Sequence, residues 1–144
     1  MSMHLRGRIG AYTLVIPAAS VLDVWTPEAT LDEAPAWRGR TVPFVDGRAL
    51  LGEPASGRFG ALVAYGESAD DPRLVILGLD EVLGSVSVTP EMLQPFPANL
   101  TDARRLFDGI ATLPGAAAGQ LRLRAGLDLV AHAEIRVTPT STSA

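Results

Sequence analysis

The sequence predicts an all-β protein, and three observations carry that reading. The apolar runs are short and rich in valine and leucine. Clusters of Gly, Pro, Asp and Ser separate them at fairly regular spacing, the pattern of a β-barrel or sandwich. No stretch keeps a helical period long enough for a long helix. With 144 residues, 47% hydrophobic and 19% charged, the chain has the size of one domain and enough apolar material for a core.

The expected strands, in order, cover residues 9–16, 21–25, 40–45, 59–65, 73–79, 85–88, 108–113 and 120–125. Breakers fall between them. Residues 52–57 hold Pro54 between two glycines, and residues 66–72 place Asp70 and Asp71 before Pro72, so both segments read as turns. Val42 to Asp46, followed by Leu50, Leu51 and Gly52, echoes Val75 to Asp80, followed by Leu83 and Gly84. Each aspartate suits the N-cap of a short helical turn and each glycine its left-handed exit, which predicts two similar β units. Residues 1–137 are expected to form a single domain, with 138–144 a fraying Ser/Thr/Pro-rich tail.

Composition excludes several chemistries. No cysteine means no disulfide, thiolate nucleophile or thiolate zinc site, and no lysine means no Schiff base and no P-loop. All twelve basic residues are arginine, and only Arg104 and Arg105 are adjacent. A net charge of −4 with no clustered basic face argues against nucleic acid. Arg6 and Arg8 before an apolar run imitate a signal peptide ending at Ala18, Ala19 and Ser20. Tyr12, Thr13 and Pro17 interrupt that run, so it reads as strand and the expected compartment is the cytosol. No apolar stretch approaches the ~18 residues that span a bilayer.

Enzymatic readings need a constellation, and the sequence offers only fragments of one. His4 and His132 lack a second histidine at ligand spacing, so no metal or other cofactor is expected. Ser20 or Ser56 could be matched with His132 and an aspartate as a hydrolase, yet no G-x-S-x-G elbow exists. Asp70 and Asp71 could serve acid–base chemistry, but their place before a proline reads as a solvated loop. Arg122 and Arg124 alternate with Leu121 and Leu123, the pattern of a half-buried strand with a wet outer face. Trp25 and Trp37 bracket a proline-bearing loop and are either core residues or interface anchors.

Taken together, four stretches resemble the CheW-like domain, the coupling module of bacterial chemosensory arrays. The first runs from Ile16 through Pro17, Val21 and Asp23 to Val24. The second and most specific runs from Arg38 and Gly39 through Val42, Pro43, Phe44, Val45, Asp46 and Arg48 to Leu50, Leu51 and Gly52. The third runs from Leu79, Asp80 and Gly84 to Val88, then Pro90 and Leu93 to Pro95. The fourth runs from Leu106 and Phe107 through Gly109 to Pro114. The resemblance spans residues 10–130 with the motifs in order.

It implies two small five-stranded SH3-like β-barrels packed together, no catalysis, and a surface that docks a chemoreceptor tip and the regulatory domain of a CheA-type histidine kinase. It further implies that Val21, Asp23, Arg38 and Gly39 lie at or support the receptor-facing surface, with Asp23 and Arg38 a charged pair across neighbouring strands. Pro17, Pro43, Asp46, Arg48, Gly52, Asp80, Gly84 and Gly109 fall on structural motif positions. The chain departs from the family where a Gly-x-x-Asn-x-Arg-Gly stretch is usual: Ala36 and Trp37 run directly into Arg38 and Gly39, and Gly47 stands where a leucine normally follows Asp46. A divergent module with a different signalling partner is therefore the alternative to a standard adaptor.

Overall fold

A computed structural model describes residues 2–27, 36–51, 53–54, 58–95, 107–113 and 119–123. The chain opens with an antiparallel hairpin of Ser2–Ile9 (β1) and Tyr12–Pro17 (β2) that reverses at Gly10 and Ala11, where Gly10 takes φ +57°. Glycine adopts that backbone without a Cβ penalty. The strand expected over 9–16 is therefore the end of β1, a turn and most of β2. Val21–Trp25 (β3) follows a 3-10 turn. A two-stranded ribbon of Ala36–Trp37 (β4) and Arg40–Thr41 (β5) leads to Phe44–Asp46 (β6). Next come the short helix Gly47–Leu50 (α1) and the strands Ala61–Tyr65 (β7), Val75–Leu79 (β8) and Glu81–Val88 (β9). Leu93–Gln94 (β10), Phe107–Ala111 (β11) and Gln120–Leu123 (β12) complete the described strands.

These strands form two main sheets. One has the order β10-β11-β12-β2-β1-β9 and the other β3-β7-β8-β6, with parallel pairing between β12 and β2 and between β6 and β8. The apolar side chains sort into three clusters around them. Ile9, Leu14, Ile16, Phe107 and Leu123 of the six-stranded sheet meet Val45, Val63, Val75 and Leu77 of the four-stranded sheet in one shared core. Trp37, Val42, Phe44, Leu62, Leu74 and Ile76 pack on the far face of the four-stranded sheet. Val15, Val88, Ala111 and Leu113 pack on the far face of the six-stranded one. Each sheet thus has its own apolar cluster and shares a third with its neighbour, the layered arrangement of two packed β units. β7 and β8 are buried at every residue, which explains their unbroken apolar sequences.

The echo between the two Asp-terminated segments has a different meaning from the one expected. Val45 and Leu77 are paired neighbours, so the echoing strands β6 and β8 lie side by side in one sheet rather than in separate units. Asp46 caps α1, its Oδ1 accepting the Arg48 amide at 2.9 Å. Asp80 caps nothing, because β9 begins at the next residue. Gly84 is no helix exit: it sits inside β9 at φ +115°, where the register against β1 slips from Arg6↔Gly84 to Gly7↔Val82. The extra residue makes a β-bulge. Gly52 lies outside the described residues.

Close approach explains two glycines. A Cβ on Gly47 would stand 2.5 Å from Ile9 Cδ1 and 2.6 Å from the Gly78 carbonyl oxygen, so the leucine usual in the family has no room. A Cβ on Gly109 would stand 2.9 Å from the Gln94 carbonyl oxygen of β10.

Candidate protein-docking site

The ribbon β4–β5 presents the Arg-Gly motif at its tip. Trp37 pairs with Arg40, leaving Arg38 and Gly39 as a two-residue loop with φ +51° and +81°. Positive φ at both central residues is what a type I′ hairpin turn requires, since its twist matches that of the strands. Gly39 adopts it freely, whereas Arg38 carries a Cβ into a conformation that costs an L-residue about 1–2 kcal/mol. Both residues are exposed.

Beneath them, Trp37 is 5% exposed and belongs to the far cluster of the four-stranded sheet. Its ring is a core residue rather than a surface anchor. The Arg38 guanidinium lies over it, 4.4 Å from the ring centroid, in cation–π geometry. The indole Nε1–H donates to Asp23 Oδ2 at 3.0 Å, while Asp23 Oδ1 accepts the Val24 amide at 2.9 Å.

A β-bulge in β3 makes this contact possible. Val21 pairs with Tyr65 but Asp23 pairs with Ala64, so Leu22 is an extra residue. Strict alternation would put Asp23 on the same face as Val21, which packs against the shared inter-sheet core. The bulge turns Asp23 and Trp25 to the face of Ala64 and Leu62, where Trp37 sits. Trp25 is half-buried against that cluster, and Val24 is left 37% exposed on the edge strand. The expected Asp23–Arg38 ion pair does not form. Among the described residues no carboxylate pairs with Arg38, and Asp23 spends its oxygens on the Trp37 indole and the Val24 amide. Of the four motif residues, Asp23, Arg38 and Gly39 share this surface, and Val21 faces inward.

Two of the other motif residues, Arg48 and Asp80, meet at the junction between the sheets. Asp80, with its side chain 11% exposed, accepts Arg48 Nη2 at 2.6 Å and Nε at 3.2 Å, and the Gly10 amide at 2.7 Å. Arg8 Nη1 stands 3.7 Å away. One carboxylate therefore ties the β1–β2 turn, α1 and the β8–β9 corner together. Sequence order alone gave no sign of this, because the partners are 70 and 32 positions away. Pro43 contributes its carbonyl, which accepts the Ile76 amide at 2.8 Å, and Pro17 closes β2 as a buried residue.

The remaining chemistry-bearing residues are accounted for by structure. Asp71 is buried and accepts the Glu67 and Arg73 amides, each at 2.8 Å, so it organises the 66–74 loop rather than standing solvated in it. Those two amides, the Glu67 one foremost, hold its carboxyl below the usual carboxylate range despite burial. Asp70 is exposed. His4 is buried on β1; Arg122 Nε donates to its Nε2 at 2.9 Å, which leaves Nδ1 as the donor to the Ser2 carbonyl at 3.1 Å. Ser20 is buried, its Oγ 3.5 Å from Glu67 Oε2. His132 and Ser56 lie outside the described residues. Among the described residues no group of three His, Cys, Asp or Glu side chains could hold a metal ion, and no helix is long and apolar enough to cross a membrane.

No protein-family model matches the chain, and no curated protein matches it by sequence. Solved structures do. The scaffolding protein TtCheW from Thermoanaerobacter tengcongensis superposes with a TM-score of 0.67 over 90% of this chain and 91% of that one, at 14% sequence identity. A likeness of that extent at so low an identity speaks for the backbone arrangement. The chain has a CheW-like fold, in which two β-sheets share a core and carry the Arg-Gly hairpin on the outer face of the smaller one.

Proposed function

We propose that this protein is a non-catalytic adaptor of a bacterial chemosensory array, coupling the cytoplasmic tip of a chemoreceptor to the regulatory domain of a CheA-type histidine kinase. The single observation that supports the reading most is the CheW-like fold across nine-tenths of the chain, in a sequence whose four resembling stretches keep the family's order. The surface formed by Asp23, Arg38 and Gly39 is its receptor-facing part, supported from beneath by Trp37 and from the edge by Val21 and Trp25. Such contacts need modest patches with a few strong residues, so that they can be made and remade. The protein acts in the cytosol and contacts neither nucleic acid nor the bilayer interior.

The test is co-purification of the chain with the kinase regulatory domain and with a receptor cytoplasmic fragment encoded in the same genome, followed by receptor-dependent kinase activity. Recovery of both partners at micromolar protein is the expected result, and recovery of neither rejects the role. Two observations favour a second reading, a CheW-like module for a different signalling partner: the chain lacks the usual stretch before Arg38, and Asp23 holds Trp37 instead of Arg38. Recovery of the kinase domain without any receptor would select that reading.

A further inference from the structure

We propose that Arg38 is the residue that receives a carboxylate from the partner protein, and that Asp23 and Trp37 are positioning residues which hold it ready. The inference rests on the docking role proposed above and specifies its chemistry. Among the described arginines, most are committed to groups within the chain. Arg48 and Arg8 are bound to Asp80, Arg73 to Asp71, Arg122 to His4 and Arg6 to Gln120. Arg38 instead lies over a ring face, and among the described residues no carboxylate stands within ion-pair distance of it. A stacked guanidinium keeps its planar fork of donors open at the edge, which is the geometry that accepts a carboxylate through two parallel hydrogen bonds.

The chain invests in that presentation. The positive φ of Arg38 is an unfavourable backbone state for an arginine, set by the two-residue turn. Stacking on Trp37 restricts the side chain's rotamers before any partner arrives, which lowers the ordering cost of binding. Asp23 acts through the ring: its carboxylate accepts the indole N–H at 3.0 Å, which fixes the ring plane and adds electron density to the face under the cation. The bulge at Leu22 exists in the fold at the one place that brings Asp23 to this face. On a chain of net charge −4, a cation at a hairpin tip with no carboxylate partner among the described residues complements an acidic side chain and repels a basic one.

Two measurements test this. In the first, hexaglutamate and hexaglutamine peptides are titrated into the isotope-labelled protein and the arginine Nε–H resonances are followed. Arg38 is expected to shift with hexaglutamate alone, with Arg73, already held by Asp71, shifting far less. Equal shifts at both residues, or none at Arg38, overturn the inference whether or not a receptor is ever bound. In the second, affinity for the receptor fragment is measured for variants. Arg38→Ala is expected to weaken binding about tenfold or more and to flatten its salt dependence, with Arg38→Lys intermediate because an ammonium lacks the planar fork. Asp23→Asn is expected to weaken it about threefold in the wild-type background. It should have no further effect in Trp37→Phe, which keeps an aromatic ring and removes the N–H. Additive effects of those two changes would assign Asp23 a contact of its own and refute the positioning role. A receptor fragment that fails to bind at all, with the hexaglutamate response intact, rejects the partner and leaves the carboxylate site standing.

Discussion

Replacing Asp80 removes the group that ties three segments of this fold together, and its cost can be worked from the geometry. The carboxylate accepts two guanidinium nitrogens of Arg48, at 2.6 and 3.2 Å, and the Gly10 amide at 2.7 Å. An exposed ion pair is worth about 0–1 kcal/mol and the loss of one partner of a fully buried pair about 3–5 kcal/mol. Side-chain exposures of 11% for Asp80 and 21% for Arg48 place this pair nearer the buried limit. Asp80→Ala should therefore destabilise by about 3 kcal/mol, and Asp80→Asn, which keeps the shape and one acceptor, by about 2 kcal/mol. At this chain length each kcal/mol lowers Tm by about 4 °C. Urea unfolding of Asp80→Asn, Arg48→Met and the double variant supplies the coupling energy, expected at about 1–2 kcal/mol. Hydrogen exchange at the Gly10 amide locates the effect, since that amide loses its charged acceptor. Additivity within about 0.5 kcal/mol, or an unchanged Gly10 exchange rate, would show that the clamp is not what joins the turn to the sheet corner.

Three further outcomes follow from the packing and the loops. The Asp71 carboxyl is held below its ordinary range in the folded protein, so its contribution is complete above the unfolded value near about 3.9 and is lost as pH falls through the folded value. Asp71→Asn should cost about 1–3 kcal/mol near neutral pH, and the gap to wild type, followed by thermal melts from pH 7 downward, should close only below about pH 4. Gly47→Ala drives a methyl group against Ile9 and the Gly78 carbonyl, and should destabilise by about 1–3 kcal/mol in chemical denaturation. Gly78→Ala sets a Cβ 2.6 Å from Phe59 Cδ1 and 2.8 Å from Phe44 Cζ. It should cost a similar amount and disturb the edge-to-face pair of those rings, visible in their near-ultraviolet dichroism and ring NMR shifts.

Local physics was legible wherever one residue and its near neighbours decide the outcome. Val75–Leu79 and Ala61–Tyr65 read as strands because both faces are buried and turn residues bound them. Asp46 read as a cap because the acceptor it offers meets an amide two residues away. The first strand was not legible: residues 2–8 show no clean alternation, their burial depends on neighbours on both sides, and Gly10 passed for one residue of a longer run. At the candidate docking site, the Arg-Gly pair was legible as a motif and Trp37 as either core or anchor. The hydrogen bond that joins Trp37 to Asp23 was not, because it depends on an inserted residue in β3.

By itself, the sequence determined an all-β chain, its turns, and a composition without lysine or cysteine that removes whole classes of chemistry. Those properties follow from backbone preferences and side-chain types, which act over a few residues. Only the tertiary structure decided that the two echoing segments are parallel neighbours, that Asp80 clamps rather than caps, and that Asp23 faces Trp37. Each of these depends on register between strands distant in sequence. Because side chains alternate with period two, one extra residue sends a carboxylate to the opposite face of a sheet. In β3 that single residue, Leu22, decides whether Asp23 meets the Trp37 indole or turns to the core between the sheets.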